Sequence, residues 1–421
     1  MEELKSNKGS LLGIILLILS GEAIYILPYV LSRVFRPTYL DVFGLTNLEL
    51  GTLFSIYGTV ALVSYIFGGV IADKFLPRKL MATALFSTAI GGLLLATFPS
   101  FQVLTLLYAY WGFSTVFLFW GAMIKATRIW GGTKGQGQAF GFLDAGRGLV
   151  AAAIGSAGVF IFSIILTSDI RSASFIEKQE AFRYVILFSS FVIALVGLLV
   201  FLYMDNHDEQ EIKQEEPLNS ISSIKSALKI QAVWLLMIII MSAYVGYKIT
   251  DIYSLYASDV MLYDQIQAAE VGAMQLYLRP IVCVIIGVLA DKTSGTSWII
   301  TGFIIMLIGA ILFASGLIKS NMDLVFYLSL IVVAVGTYAA RALYFAVMEE
   351  GNIPIALTGT AVGMISVVGY TPDIFATPIM GYFLDNYPGI VGHQYVFAML
   401  VVFSILGLLA SIRFARLVKF N

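Results

Sequence analysis

About twelve apolar runs, each long enough to cross a bilayer as a helix, leave this 421-residue chain few ways to fold. Crossing about 30 Å of hydrocarbon takes roughly 20 helical residues. Within the hydrocarbon every backbone N–H and C=O must be satisfied inside the segment, which a helix achieves and an open strand does not. The runs fall at 11–32, 47–72, 79–98, 102–128, 138–166, 184–204, 231–257, 266–290, 297–318, 323–348, 356–383 and 394–412. With 59% apolar and 12% charged residues, the chain carries more apolar surface than one water-soluble core can bury. The expected fold class is all-α and polytopic, with the lipid bilayer as solvent.

Several other classes fall away on the same residues. The first run follows Lys5 and Lys8 but has no Ala-x-Ala site after it, so it reads as a membrane helix rather than a cleaved secretory signal. The net charge of −1 gives no basis for a nucleic-acid partner. Cys283 is the single cysteine and lies in an apolar run, which excludes a disulfide framework and makes it a packing residue. His207 and His393 fall in a linker and an outer loop, without the spacing of a hydrolase or metal site, so neither metal nor cofactor is expected. No G-x-x-x-x-G-K-[ST] phosphate loop is present, so ATP is not expected to act on this chain directly.

Basic residues in the short loops set the orientation. Placing both termini in the cytoplasm puts 14 Lys and Arg inside, among them Lys74, Arg78, Lys79, Arg128 and Lys292, against 6 outside, among them Arg33, Arg36 and Lys319. The sixth and seventh runs are separated by an acidic tract from Asp205, then Pro217 and an amphipathic stretch from Ile221 to Lys229. The expected organisation is an N-terminal six-helix bundle over 1–204, a cytoplasmic linker over 205–230 and a C-terminal six-helix bundle over 231–421. Gly69-x-x-x-Asp73-Lys74 recurs as Gly287-x-x-x-Asp291-Lys292, offset by 218 residues, the mark of a tandem duplication.

The run GGVIADKFLPRK, Gly68 to Lys79, resembles the loop motif G-x-x-x-D-[RK]-x-G-[RK]-[RK] of the major facilitator superfamily. Pro77 stands where the motif has its second glycine, and the second copy ends in Thr293-Ser294-Gly295 without a basic tail. WGAMIKATRIWG (Trp120 to Gly131), FGFLDAGRG (Phe140 to Gly148) and GYFLDNYPGIVG (Gly381 to Gly392) resemble the bacterial YihN-type inner-membrane subgroup. The resemblance implies twelve transmembrane helices in two pseudo-symmetric six-helix bundles, and transport by alternating access in a bacterial inner membrane. It also implies a cytoplasmic gate of Gly69, Asp73, Lys74, Arg78, Lys79, Arg128, Gly287 and Asp291. In that gate Asp73 faces the positive N-terminus of the eleventh helix and pairs with a base such as Arg128. The basic members also serve the topology rule. The fifth helix lacks the Gly-Pro motif of proton-driven drug exporters.

Ionisable residues within the runs mark a pathway, because a charge at bilayer depth costs several kcal/mol unless it faces protein or water. Away from the ends of the runs they are Glu22, Lys125, Asp144, Arg147, Lys248, Asp251, Arg279, Arg341 and Asp373. The third, sixth, ninth and twelfth helices contain none, as expected of lipid-facing helices around a central polar cavity. Counting along each run puts Glu22, Arg279 and Asp373 near the midplane, where transporters hold substrate, and Lys125 and Arg341 toward the cytoplasm. Asp144 with Arg147 and Lys248 with Asp251 are spaced i,i+3 and can neutralise each other on one helix face. Glu22 has no such neighbour, which makes it the first candidate for proton coupling, ahead of Asp144, Asp251 and Asp373. The alternative for Glu22 is a pair with Arg279 or Arg341 on another helix.

Five bases against four acids, with the forked arginines suited to carboxylate or phosphate, point to an organic anion. Candidate substrate-binding residues are Arg279, Arg341, Lys248, Lys125, Arg147, Tyr25 and Trp120. Tyr244, Tyr247 and Tyr344 are further aromatics that stack on a ring or serve as interfacial anchors. Gly146, Gly148, Gly155 and Gly158 permit close helix approach, and Pro372 with Pro378 are expected to break or bend the eleventh helix. The expectation is a monomeric secondary active transporter taking up a small organic anion with protons or another coupling ion. The alternatives are an exchanger or exporter of a neutral or zwitterionic metabolite and, more remotely, a non-transporting membrane sensor. A nucleophile with its base is missing, so an enzyme is not expected.

Overall fold

The computed structural model describes residues 11–131, 136–166, 173–204, 221–344, 346–348, 350–353 and 358–420, and every regular element among them is a helix. Eleven helices are long and apolar enough to cross a membrane, and a bent pair makes a twelfth span when counted as one. In chain order we number the spans α1 (Leu11–Ala23 bent by 41° into Ile26–Val34), α2 (Asn47–Lys74), α3 (Pro77–Leu95) and α4 (Phe101–Gly131). There follow α5 (Gln136–Ile165), α6 (Phe175–Tyr203), α7 (Gln231–Asp259) and α8 (Gln265–Lys292). The last four are α9 (Gly295–Ala314), α10 (Asp323–Leu343), α11 (Thr358–Gly369 and Pro372–Asn386) and α12 (Ile390–Phe420). A short helix, Ile221–Leu228, precedes α7.

The chain separates into two compact units. Unit 1 is Met1–His207 with Tyr263–Pro280, and unit 2 is Asp208–Leu262 with Ile281–Asn421, so α8 is divided at Pro280. In unit 1, α1 packs on α5, α2 on α4 and α3 on α6. The interior between them is aromatic: Phe35 meets Phe162 and Phe182 edge-on at 5.5 and 5.4 Å, and Tyr29 stacks on Phe54 at 5.1 Å. In unit 2, α9 packs on α10 and α12, and α7 on α11 and α12. Phe313 stacks on Phe397 at 4.2 Å there, and Tyr256 on Phe326 at 5.5 Å.

Helix starts follow local chemistry. Thr46 with Glu49 and Ser174 with Glu177 form capping boxes at α2 and α6, satisfying donors that would otherwise be exposed. The second box explains why α6 begins at Phe175 rather than near 184: the charged turn of Glu177 to Arg183 is helical although it is not apolar. α12 likewise runs to Phe420 and begins at Ile390. His393, expected in a loop, is therefore within the first turns of α12, fully buried, with Nε2 3.1 Å from Asp259 Oδ2 at the end of α7.

Four spans are irregular, each for an identifiable reason. In α1, Pro28 has no N–H to give, and Tyr25 O accepts from both Tyr29 N (3.0 Å) and Val30 N (3.2 Å) in a π-helical turn. In α4, the hydroxyls of Ser114 and Thr115 both donate to Trp111 O, at 3.4 and 2.7 Å, as Phe113–Trp120 opens into π-helix. In α7, Thr250 Oγ1 donates to Tyr247 O at 2.7 Å beside the 3-10 turn Thr250–Ile252. In α11 the break falls after Gly369, and the helix restarts with Pro372 at its first position, where a missing N–H costs nothing; Pro378 lies inside the continuing helix.

Candidate functional site

Eight of the nine ionisable residues singled out within the runs gather into two networks, one in each unit, and both sit where helices are broken. In unit 1, Glu22 lies in the last turn of α1 before its bend, with only 4% of its side chain exposed. Arg147 Nε, from α5, donates to Glu22 Oε2 at 3.2 Å, and Arg279 Nη1, from α8, lies 4.0 Å from the same oxygen. Arg279 Nη2 also donates to Asp144 Oδ1, and Arg147 Nη1 stands 4.0 Å from that oxygen. Asp144 is the open member of the network, its side chain 39% exposed. Arg147 also lies over the rings of Tyr25 (5.4 Å) and Trp120 (5.9 Å).

Glycine makes this convergence possible. A Cβ at Gly148 would stand 2.9 Å from Pro280 Cδ and 3.2 Å from Arg279 Cγ, so only a bare backbone on α5 lets Arg279 reach Asp144 and Glu22. The i,i+3 pairing of Asp144 with Arg147 expected from spacing is thus one edge of a four-charge cluster. Glu22 is paired across helices, Arg279 being one of the two bases considered for it.

In unit 2, Lys248 Nζ lies 2.9 Å from Asp251 Oδ2 in the 3-10 turn of α7 and 3.3 Å from Asp373 Oδ1 on α11. The Lys248 and Asp251 side chains are 1% and 2% exposed, that of Asp373 13%. Tyr244 Oη donates to the other carboxylate oxygen of Asp373 at 3.0 Å. Arg341, from α10, lies face-on over Tyr247 at 3.7 Å and 5.7 Å from the Tyr244 ring. Tyr370, in the break of α11, packs edge-on against Tyr244 at 5.0 Å, and its hydroxyl is 3.3 Å from that of Tyr344. Sequence reasoning passed over Tyr370, although its place between Gly369 and Pro372 marks a break that exposes backbone and side chain.

The ninth residue, Lys125, links two helices of unit 1. Its Nζ donates to Ala72 O at 2.9 Å, tying α4 to the last turn of α2. Without it the two networks hold equal numbers of acids and bases. Of the residues expected at the cytoplasmic gate, Gly69 and Asp73 lie outside the described residues as far as their side chains are concerned, and with them the contact between Asp73 and Arg128. Lys74, Lys79, Arg128 and Asp291 are exposed, and Arg78 lies 5.8 Å over the Phe201 ring of α6. A Cβ at Gly287 would meet nothing within 4 Å. Where the second motif copy lacks its basic tail, a carboxylate takes over: Glu350 accepts from Gly295 N (2.8 Å), Thr296 N (3.2 Å), Ser294 Oγ (3.3 Å) and Thr296 Oγ1 at the N-terminus of α9. No sequence signal identified Glu350, which lies more than fifty residues beyond its partners.

Comparison with known proteins agrees with this architecture. The family model of the Major Facilitator Superfamily matches residues 12–371. The inner membrane protein YqcE of Escherichia coli (strain K12) is 26% identical over 90% of this chain and 88% of its own length. The inner membrane protein YihN of the same organism is 26% identical over 95% of this chain and 94% of its own. Among solved structures, a bacterial homologue of the human lysosomal transporter Spinster, in an inward-facing and unoccupied conformation, superposes with a TM-score of 0.71. It is 16% identical, covers 96% of this chain and 97% of its own, and shows the same fold. The chain belongs to the Major Facilitator Superfamily and is a multi-pass inner-membrane transporter rather than an enzyme.

Proposed function

We propose that this protein is a secondary active transporter that takes up a small organic anion, a carboxylate or phosphate ester, together with protons. The observation that carries the reading is the convergence of Arg147 and Arg279 on Glu22 and Asp144 in unit 1. Neither guanidinium can give up its charge, and each offers a planar fork of donors. The internal carboxylates hold those forks when no solute is bound. An incoming anion matches the same geometry and exchanges with Asp144, the least buried member of the network. Protonation of a carboxylate within the spans accompanies that exchange. Glu22, Asp144, Asp251 and Asp373 are the candidates for it.

In this reading the protein works by alternating access as a monomer, with both termini cytoplasmic and six-helix halves over 1–204 and 231–421 joined by the linker 205–230. The motif residues Asp73, Lys74, Arg78, Lys79 and Arg128 serve the cytoplasmic gate, and Lys125 is structural. The equal count of acids and bases in each network supports a second reading, exchange or export of a zwitterionic or neutral metabolite.

Reconstitution into vesicles containing a trapped pH-sensitive dye separates the two. Added carboxylates or phosphate esters are expected to acidify the lumen, while sugars, nucleosides and amino acids leave it unchanged. Counterflow of a zwitterionic or neutral solute without any movement of protons would favour the second reading.

A further inference from the structure

The two networks differ in chemistry, and the difference assigns the proton. We infer that the coupling proton is exchanged at the Asp251–Lys248–Asp373 triad of unit 2, and not at Glu22. The inference rests on the proton-coupled reading above and narrows it to one site.

In unit 1 both carboxylates are held by guanidiniums. A guanidinium in a protein stays charged and presents a planar fork of donors to each carboxylate. In unit 2 one ammonium is shared between two carboxylates, at 2.9 and 3.3 Å. Two like charges are thereby drawn onto one cation inside the bilayer, and a proton on one carboxylate relieves their repulsion at the shared ammonium, while Arg341, the other base of the network, lies over the Tyr247 ring. The partner is a lysine ammonium, a compact point charge with three donors and no planar fork to grip both carboxylates. Asp373 is the least buried of the three: its side chain is 13% exposed against 1% and 2% for the other two. A proton arriving from water forms the O–H bond on Asp373 and leaves Lys248 paired with Asp251; release reverses the step.

The surroundings support a moving part here. Asp251 belongs to the 3-10 turn that interrupts α7, and Asp373 follows the break of α11. Facing Asp373, α7 brings Tyr244, Lys248 and Asp251, and α11 brings Tyr370. Among the described residues Arg341 of α10 and Tyr344, just after its end, stand nearby, Arg341 over Tyr247 and Tyr344 beside Tyr370. α12 meets this part of α11 through Phe403, stacked on Phe375 at 5.9 Å.

The test needs no solute. Infrared difference spectra of the full chain in lipid vesicles, recorded while the pH is lowered, read the carbonyl stretch of a protonated carboxylic acid. The expected result is a band present in the unaltered protein and in Glu22→Gln and Asp144→Asn, and lost in Asp373→Asn. Lys248→Arg keeps the positive charge but replaces the amine with a fork that holds both carboxylates, and is expected to lose the band as well. Tyr244→Phe retains the ring and removes one donor to Asp373, so the band is expected to stay and shift in frequency. No band in the unaltered protein, a band surviving Asp373→Asn or Lys248→Arg, loss in Glu22→Gln, or an unmoved band in Tyr244→Phe would each overturn the assignment. Because solute is absent, these outcomes are independent of whether the transported molecule is an anion.

Discussion

Arg147 Nε on α5 lies 3.2 Å from Glu22 Oε2, so the last turn of α1 before its bend is pinned to the middle of another helix by a buried ion pair. Breaking one side of such a pair leaves an uncompensated charge, which costs about 3 kcal/mol or more. Glu22→Gln and Arg147→Gln are each expected to lower the melting temperature of the detergent-solubilised protein by several degrees. The double variant is expected to lose less than the sum of the two, and the check is a double-mutant cycle on thermal unfolding.

Lys125 gives the opposite expectation to the arginines. Its ammonium bonds the Ala72 carbonyl at the end of α2. Lys125→Met is expected to cost about 1 kcal/mol of stability and to leave ligand-induced stabilisation intact. Loss of that stabilisation in a folded Lys125→Met protein would return the residue to the solute site.

Glu350 caps α9 through two backbone N–H groups and two hydroxyls. Its replacement by alanine is expected to cost about 1 kcal/mol. Hydrogen exchange should show the change locally, with faster exchange at Gly295 and Thr296 and no change at the outer end of α9.

Two glycines should behave in opposite ways. A Cβ at Gly336 would lie 2.4 Å from Met306 N and 2.6 Å from Gly302 O, backbone atoms of α9 that have no room to yield. Gly336→Ala is expected to force α9 and α10 apart at a cost of about 2 kcal/mol, visible as lower yield and melting temperature. Gly287→Ala meets open space and is expected to fold and melt as the unaltered protein does.

The sequence revealed the spans because hydrocarbon imposes one period and one length on every crossing, and it picked out charges inside them because few side chains break those runs; Arg33 and Arg36, expected in an outer loop, are instead buried at the end of α1 and in the helix Arg36–Phe43 that follows. Their partners were another matter. Arg279 reaches Asp144 across 135 positions, and no periodicity relates α5 to α8. Local spacing found the Lys248–Asp251 pair but not the claim of Asp373 on the same lysine. Of the four breaks, those at Pro28 and Pro372 carry a proline, whereas the π-turn of α4 depends on two hydroxyls competing for Trp111 O. The helical start of α6 was hidden by its charged first turns, which resemble a loop to any measure of hydropathy.

The central claim is that Arg147 and Arg279 hold an anionic solute, and thermal unfolding of the solubilised protein against a solute panel tests it most directly. A ligand that binds only the folded state stabilises it by about 2.7 kcal/mol at a hundred times its Kd. The panel spans carboxylates, phosphate esters, sulfonates, sugars, amino acids and nucleosides, each at two pH values. The account predicts a rise in melting temperature confined to anions, stronger at acid pH, abolished in Arg279→Ala and weakened in Arg279→Lys. A rise with neutral solutes alone, unchanged in Arg279→Ala, would contradict it.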